Sequence, residues 1–164
     1  MINRFFIFII ILSGIARCPA AAAATGVNLA PVAEPSTSRV SADTTLAALN
    51  DGHTPKASND RSNRSYGNWR GQGTQWVQYD WTIPVTTRKV DVFWWDDNAG
   101  VRLPKACRLF YWDGERFVPV RNPAGLGVAK DQFNTTTFDE VRTSNLRLEM
   151  DGEGLASTGI LEGK

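Results

Sequence analysis

The sequence predicts an all-β fold, an antiparallel β-sandwich or jelly roll. Residues 75–81 and 89–95 alternate apolar or aromatic residues with polar ones, and a period of two is typical of a β-strand. Short runs of this kind are separated by turn residues, with almost no helical periodicity and no heptad pattern. Hydrophobic residues make up 42% of the 164 residues, which is enough for a packed core.

The N-terminal segment has the pattern of a secretory signal peptide, which we assign to residues 1–24. A basic start, residues 1–4, is followed by the apolar run FFIFIIIL at residues 5–12 and by a small-residue tract at residues 20–24. The apolar run is shorter than the roughly 20 residues of a membrane span, although an uncleaved anchor is the alternative. We therefore expect a secreted or periplasmic protein.

The exported chain is close to neutral and holds one cysteine. Without residues 1–24 it has 16 Lys and Arg against 17 Asp and Glu. This balance gives no electrostatic basis for binding nucleic acid or, after signal cleavage, a membrane. Cys107 then has no partner for an internal disulfide, and we expect it to pack as a small hydrophobic residue.

The first part of the exported chain is predicted to be a linker and a polar loop. Residues 25–37 are rich in Pro, Ala and Gly without periodicity, so we place the domain at residues 38–164. Residues 38–42 are a plausible first strand, and residues 50–52 (NDG) form a turn. The long polar stretch 54–73 is expected to be a functional or covering loop.

Two neighbouring strands form the centre of the predicted domain. They are residues 75–81 and 89–95, and we place their connection at Ile83-Pro84-Val85 because proline cannot donate to a strand ladder. The second strand runs into Trp94-Trp95-Asp96-Asp97-Asn98, where aromatic bulk meets polar side chains. This junction is the first candidate for a functional rim.

The remaining elements are a hairpin and three short strands. Residues 105–112 and 116–120 flank Asp113-Gly114-Glu115, which predicts a hairpin with Gly114 at positive φ. Residues 122–131 read as a Pro/Gly-rich connection. The last strands are predicted at residues 132–138, 145–150 and 158–162.

Several strings in the sequence resemble a known family. Residues 47–52 (AALNDG), 75–80 (QWVQYD) and 157–162 (STGILE) resemble the discoidin-like domain, also called coagulation-factor C-type or galactose-binding-like. More closely, residues 58–60, 77–80, 94–97, 102–105 and 159–162 are similar to the C-terminal β-domain of bacterial β-L-arabinofuranosidase-type glycosidases. The likeness runs from about Arg39 to Glu162. Residues 25–38 are too few for the catalytic barrel of those enzymes, and the end, EGK, lacks their usual final apolar residues.

The resemblance implies a structural Ca²⁺ between an early loop and the last strand. It places Asp51 and Glu162 together there, because the first and last strands of such sandwiches are neighbours. Ca²⁺ prefers carboxylate, carbonyl and water oxygens, which residues 50–54 can offer. The alternative is a solvated Asp51 in an Asn-Asp-Gly turn.

The polar loops contain the residue types that a carbohydrate site needs, namely a flat aromatic platform beside carboxylates, amides and arginines. The candidates are Tyr66, Trp69, Arg70, Trp95, Asp96, Asp97, Asn98 and Arg102, with Glu153 in a third loop. Trp69 is the best platform because it lies in a polar loop. Alternation places Trp94 and Trp95 on opposite faces. The strand tryptophans Trp76, Trp81, Trp94 and Trp112 are expected in the core, and the two aspartates could simply be solvated turn residues.

No catalytic arrangement is evident in the sequence. Glycosidases use two carboxylates flanking one bond, whereas the adjacent Asp96 and Asp97 would point to opposite faces. His53 is the sole histidine and has no apparent nucleophile partner. We therefore expect a non-catalytic carbohydrate-binding module of an exported glycoside-hydrolase system. A C-terminal glycosidase remnant that is inactive alone, or a protein-docking sandwich that binds a catalytic domain, are the alternatives.

Overall fold

A computed structural model describes residues 26–164, and within this range the chain is almost entirely antiparallel β-structure. The all-β sandwich predicted from the sequence is confirmed. The proposed signal peptide, residues 1–24, lies outside the described residues. Within residues 26–164, no helix has the length and apolar character needed to cross a bilayer.

Seven strands and two short 3-10 helices make up the domain. The helices are Ala30–Val32 and Leu46–Leu49. The strands are β1 (Glu34–Thr37), β2 (Tyr66–Gly67), β3 (Thr74–Trp95), β4 (Ala106–Trp112), β5 (Phe117–Pro119), β6 (Phe133–Asp151) and β7 (Gly159–Gly163).

One continuous sheet supplies both layers of the sandwich. The strand order is β2-β7-β3-β6-β4-β5, with β1 paired to β3. The first half of β3, residues 74–80, pairs with β1 and with residues 145–151 of β6. Its second half, residues 89–95, pairs with residues 133–137 of β6 and with β7. Each long strand therefore contributes one half to each layer.

The two layers pack against each other around the main core. Val77 and Leu148 from the first layer line the same small cavity, of about 30 Å³, as Val92 and Ile160 from the second. Trp94 is 1% exposed in this core, and its Nε1 donates to Gly127 O at 2.9 Å. Side chains from both layers therefore meet in a single apolar core.

A smaller core lies on the other side of the second layer. Phe93, Trp95, Val101 and Leu161 are buried together there, which confirms that Trp94 and Trp95 face opposite sides of the strand. Gly159 packs directly under the indole of Trp95, so both tryptophans of the pair are interior.

The central pair of strands predicted from the sequence is one strand in the structure. β3 runs without a break from Thr74 to Trp95, and the pairing shifts register between Asp80 and Val85. Pro84 lies in this irregular stretch, where no ladder hydrogen bond is required of it. The two strands predicted within residues 132–150 are likewise the single strand β6, because its pairing follows the same bend.

The predicted linker is also part of the sandwich. β1 begins at Glu34 instead of Ser38, and Ala30 and Ala33 are buried. Asn50 Nδ2 donates to the carbonyls of both alanines at 2.9 and 3.0 Å, and Trp81 Nε1 donates to Leu29 O at 3.0 Å. These contacts join residues far apart in sequence, so the local composition gives no sign of them.

The predicted hairpin and the final strand are confirmed. β4 and β5 pair across a turn in which Gly114 has φ of 111°. Cys107, on β4, is half-buried near Leu126 O, and burial raises the pKa of its thiol. This agrees with a packing role for the side chain.

Candidate functional site

Trp69 presents the most exposed aromatic ring in the described part of the chain, with 47% of the residue accessible. Its backbone is fixed on both sides. The amide donates to Ser41 Oγ at 2.6 Å, and the carbonyl accepts from Arg39 Nε at 2.8 Å. Val40, between these two partners, is 42% exposed. The result is an apolar surface held rigidly at one end of the sandwich.

Asn68 ties the Trp69 loop to the segment between β6 and β7. Its Nδ2 donates to Thr158 Oγ1 at 2.6 Å, and its Oδ1 accepts from the Thr158 amide at 2.8 Å. Both residues are about 2% exposed. Because the buried amide bonds Thr158 through both its nitrogen and its oxygen, the two loops have a fixed relative position.

The loop after β3 packs against the same segment. The Ser157 amide donates to Gly100 O at 2.9 Å, and the Arg102 amide donates to Ser157 O at 2.9 Å. Gly100 also borders the indole, since a Cβ built there would lie 3.8 Å from Trp69 Cζ3. We use the name three-loop rim for residues 68–73, 96–103 and 152–158.

Asp97 shapes the middle loop of the rim through its backbone contacts. Its Oδ1 accepts from the amides of Ala99 and Val101 at 2.8 and 2.9 Å. Asn98, between Asp97 and Ala99, has φ of 58°, a left-handed conformation that asparagine tolerates better than most residues. Asp97 therefore acts as a loop-forming residue with one oxygen left over.

Asp96 is interior, which departs from the expectation of a sugar-binding carboxylate. The residue is 4% exposed. Its Oδ1 accepts from the Asn98 amide at 2.8 Å, while Oδ2 lies 3.0 Å from Lys130 Nζ. Burial raises the pKa of this carboxyl, but the hydrogen bonds from Asn98 and Lys130 outweigh burial and hold it below its usual value. Its bonding capacity is used within the fold.

Tyr66 and Trp95 do not fit the predicted role of surface platforms. Tyr66 is 0% exposed, and its hydroxyl donates to Arg39 O at 2.9 Å and shares a 2.7 Å hydrogen bond with Thr37 Oγ1. Burial raises the pKa of this phenol to about 12. Trp95 is 2% exposed in the smaller core. Both rings are covered because they pack into the two cores, Tyr66 into the main core and Trp95 into the smaller one.

Trp69, Arg70, Asn98 and Arg102 remain as predicted site residues with accessible side chains. Glu153, in the third loop of the rim, is exposed as well. The sequence analysis missed Arg39 and Val40, which lie in a segment interpreted as a strand. Only the contacts of Trp69 identify them.

The two predicted metal ligands come together in the structure. Glu162 is 0% exposed, and neither of its carboxylate oxygens has a hydrogen-bond partner. Burial raises the pKa of Glu162 to about 8, and the neighbouring Asp51 carboxylate adds to the increase. A buried carboxylate without a partner, facing a second carboxylate, is a costly arrangement unless a cation compensates it.

The chemistry of this place suits a hard cation. Asp51 accepts from the His53 amide at 2.9 Å and from Asn63 Nδ2 at 3.0 Å, which fixes its position. No group of three or more His, Cys, Asp or Glu side chains occurs within residues 26–164. Further ligands would therefore be backbone carbonyls, which Ca²⁺ accepts readily and Zn²⁺ does not.

Comparisons with known proteins define the fold. No family model matches the chain. A structure of the Streptococcus pneumoniae β-galactosidase BgaA superposes with a TM-score of 0.72 at 18% identity, covering 80% of this chain and 90% of that one. Chitosan-binding module 1 of a chitosanase/glucanase from Paenibacillus sp. IK-5 gives a TM-score of 0.63 at 14% identity, covering 84% and 97%.

A third similar structure is the family 32 carbohydrate-binding module of NanJ from C. perfringens, in complex with galactose. Its TM-score is 0.62 at 8% identity, and the match covers 82% of this chain and 93% of that one. At such identities the likeness concerns the fold alone. The chain therefore shares the antiparallel β-sandwich fold of these structures.

Proposed function

We propose that this protein is a non-catalytic carbohydrate-binding module and that the three-loop rim is its binding site. One observation carries the proposal, namely the 47% exposure of Trp69 on loops that are hydrogen-bonded to one another. Sugar rings have apolar C–H faces that stack on indoles, and their hydroxyls pair with neighbouring amides and guanidinium groups. Similar folds in a chitosan-binding module and a galactose-bound module support this assignment.

The carboxylates of the rim favour binding over turnover. Asp96 is paired with Lys130, and one oxygen of Asp97 is occupied by two backbone amides. A glycosidase needs two carboxylates on either side of one bond, and Asp96 and Asp97 do not form such a pair because Asp96 is buried and bonded within the fold.

The wider context belongs to the same proposal. The module would be exported by the signal peptide at residues 1–24 and act in the periplasm or outside the cell, beside a glycosidase catalytic domain. We propose a relationship to the C-terminal β-domain of β-L-arabinofuranosidase-type enzymes, on the sequence resemblance described above. We also propose a structural Ca²⁺ held by Asp51 and Glu162, supported by the unpartnered buried carboxylate.

Substitution of the indole tests the proposed site. In calorimetric titration against a panel of oligosaccharides, we expect Trp69→Ala to weaken binding of the best ligand at least tenfold, about 1.4 kcal/mol. Ile83→Ala is the matched control, since Ile83 is 73% exposed in the bend of β3, roughly 30 Å along the strand from Thr74. The affinity of the Ile83→Ala variant for the same oligosaccharide should equal that of the wild type.

Two results would remove the proposal. One is that the folded wild-type protein binds no glycan in the panel. The other is an unchanged affinity in Trp69→Ala, which would place the sugar elsewhere. If the rim instead captured a purified glycosidase catalytic domain and no sugar, the protein-docking alternative would replace carbohydrate binding.

A further inference from the structure

We propose that the three-loop rim selects glycans that carry carboxylate groups, such as uronate-containing chains. This inference rests on the proposed function and concerns the class of sugar that the same site accepts. It follows from three arginines in or bonded to the rim, Arg39, Arg70 and Arg102, and from the hydrogen bonds and ion pairs of the acidic residues near them.

Arg39 is bound to the backbone of Trp69 and keeps most of its donors free. Its Nε donates to the carbonyl of Trp69 at 2.8 Å, which directs the guanidinium toward the rim. The residue is exposed, and no ion pair of the described residues includes it. The terminal N–H groups of Arg39 can therefore form the paired hydrogen bonds that a carboxylate accepts.

Arg70 follows the indole directly and is exposed without a carboxylate partner among residues 26–164. Its backbone has φ of 62°, in the left-handed region that a long side chain seldom occupies. Strained backbone of this kind persists where the surroundings enforce it, and it is found often at ligand sites. A second exposed arginine thus follows Trp69 directly in the loop.

Arg102 adds a third cation, and its ion-pair partner, Asp96, is also paired with Lys130. It lies 3.7 Å from Asp96 Oδ1, while Asp96 also contacts Lys130 at 3.0 Å. The Arg102 side chain is 40% exposed. Because Asp96 is neutralised by the lysine and backbone amides, Arg102 keeps positive charge available at the surface.

Acidic groups are also present at this end of the molecule. Asp97 is half-buried, and its carboxylate accepts from two backbone amides. Glu153 and Asp43 are exposed. None of them forms an ion pair with Arg39 or Arg70. The guanidinium groups of Arg39 and Arg70 thus have no carboxylate partner among the described residues, and a bound uronate would supply one.

A pair of ligands that differ only in charge tests this inference. Oligogalacturonate and its fully methyl-esterified form have the same ring and hydroxyl pattern. We expect the acid form to bind at least about tenfold more tightly, with an advantage that shrinks as salt is added. Arg39→Gln combined with Arg70→Gln should abolish the difference, whereas Trp69→Ala should weaken both ligands.

Controls separate this inference from the proposed function. Arg88→Gln, an exposed arginine in the bend of β3, should behave as wild type. Equal or tighter binding of the ester overturns the carboxylate preference and leaves carbohydrate binding intact. Binding of neither ligand, while neutral glycans bind, does the same. Equal binding of a sulfated glycan overturns the choice of carboxylate, and binding only to anionic lipid vesicles overturns the inference as a whole. The salt dependence of the wild type needs no variant and so does not depend on variant folding.

Discussion

Gly159 illustrates how single positions define the end of the sandwich that carries the rim. A Cβ at this residue would lie 2.7 Å from Trp95 Cε3, 2.8 Å from Tyr66 O and 2.9 Å from Val101 Cγ1. Two of these atoms belong to buried side chains, and the third is backbone. Glycine is required here because the backbone of β7 lies directly against the indole of Trp95.

We therefore expect Gly159→Ala to lower the free energy of unfolding by about 1–3 kcal/mol, the usual cost of overfilling a packed core. Gly152→Ala is the matched control, since its nearest atoms would be 3.4 and 3.9 Å away and its residue is exposed. Urea denaturation followed by tryptophan fluorescence measures both. A Gly159→Ala midpoint equal to that of wild type would show that the backbone relaxes freely there.

Residue by residue, local sequence predicted exposure well only where the contacts are local. Trp69 lies among polar residues and is exposed as expected, and alternation placed Trp94 and Trp95 on opposite faces correctly. Tyr66 lies in the same polar stretch as Trp69 but is buried, and its hydroxyl donates to Arg39 O and shares a hydrogen bond with Thr37 Oγ1, both far away in the chain. Such a partner leaves no local signal.

At the scale of elements, the loop after β3 is built around two aspartates with different tasks. Asp97 bonds the backbone inside the loop, and Asp96 links the loop to Lys130 on the neighbouring connection. Lys130 Nζ also donates to Asn98 Oδ1 at 2.7 Å. The middle loop of the rim is therefore preorganised before any ligand arrives.

Asp96 should make stability depend on pH in acid. Its pKa is lowered in the folded protein, so the stability it contributes is present above its unfolded pKa of 3.8 and is lost as pH falls through the folded value. At pH 7 we expect Asp96→Asn to cost about 1.5–3 kcal/mol, typical for hydrogen bonds to a charged group, with the difference narrowing toward pH 2. Glu140→Gln, an exposed acid, should match wild type throughout. A difference constant from pH 7 to pH 2 in thermal melts would contradict this role.

The sequence did not reveal that β3 and β6 are each one continuous strand. Pro84 breaks the alternation of β3, and a proline after an apolar run usually marks a connection. The chain instead continues through a register shift between Asp80 and Val85. Whether a proline ends a strand or sits in a bulge depends on the partner strand, which local patterns do not identify.

In the whole molecule, the paired strands β3 and β6 run through both layers and join them. The last strand, β7, lies against an early loop. Glu162 on β7 meets Asp51 in the segment after the second 3-10 helix. The family-level likeness predicted this pairing, whereas composition wrongly made residues 25–37 a linker. Trp81 and Asn50 hold that segment through side chains that only tertiary structure brings near.

We expect Ca²⁺ to raise the melting temperature of the protein relative to EDTA. A ligand that binds only the folded state at 100 times its Kd adds about 2.7 kcal/mol, which corresponds to several degrees for a domain of this size. Glu162→Gln should abolish the response, while Glu153→Gln, an exposed acid on the rim, should retain it. Equal melting temperatures in calcium and EDTA for the wild type would exclude this site.

The direction of β7 has a practical consequence. The strand starts at Gly159 under Trp95 and leads to Lys164, whose amide donates to Asp91 O at 2.9 Å. Over its five residues it travels roughly 16 Å from the indole-bearing end. A sensor chip or fluorophore coupled behind Lys164 would thus leave the opposite end turned toward the surrounding liquid, free to sample glycans in flow.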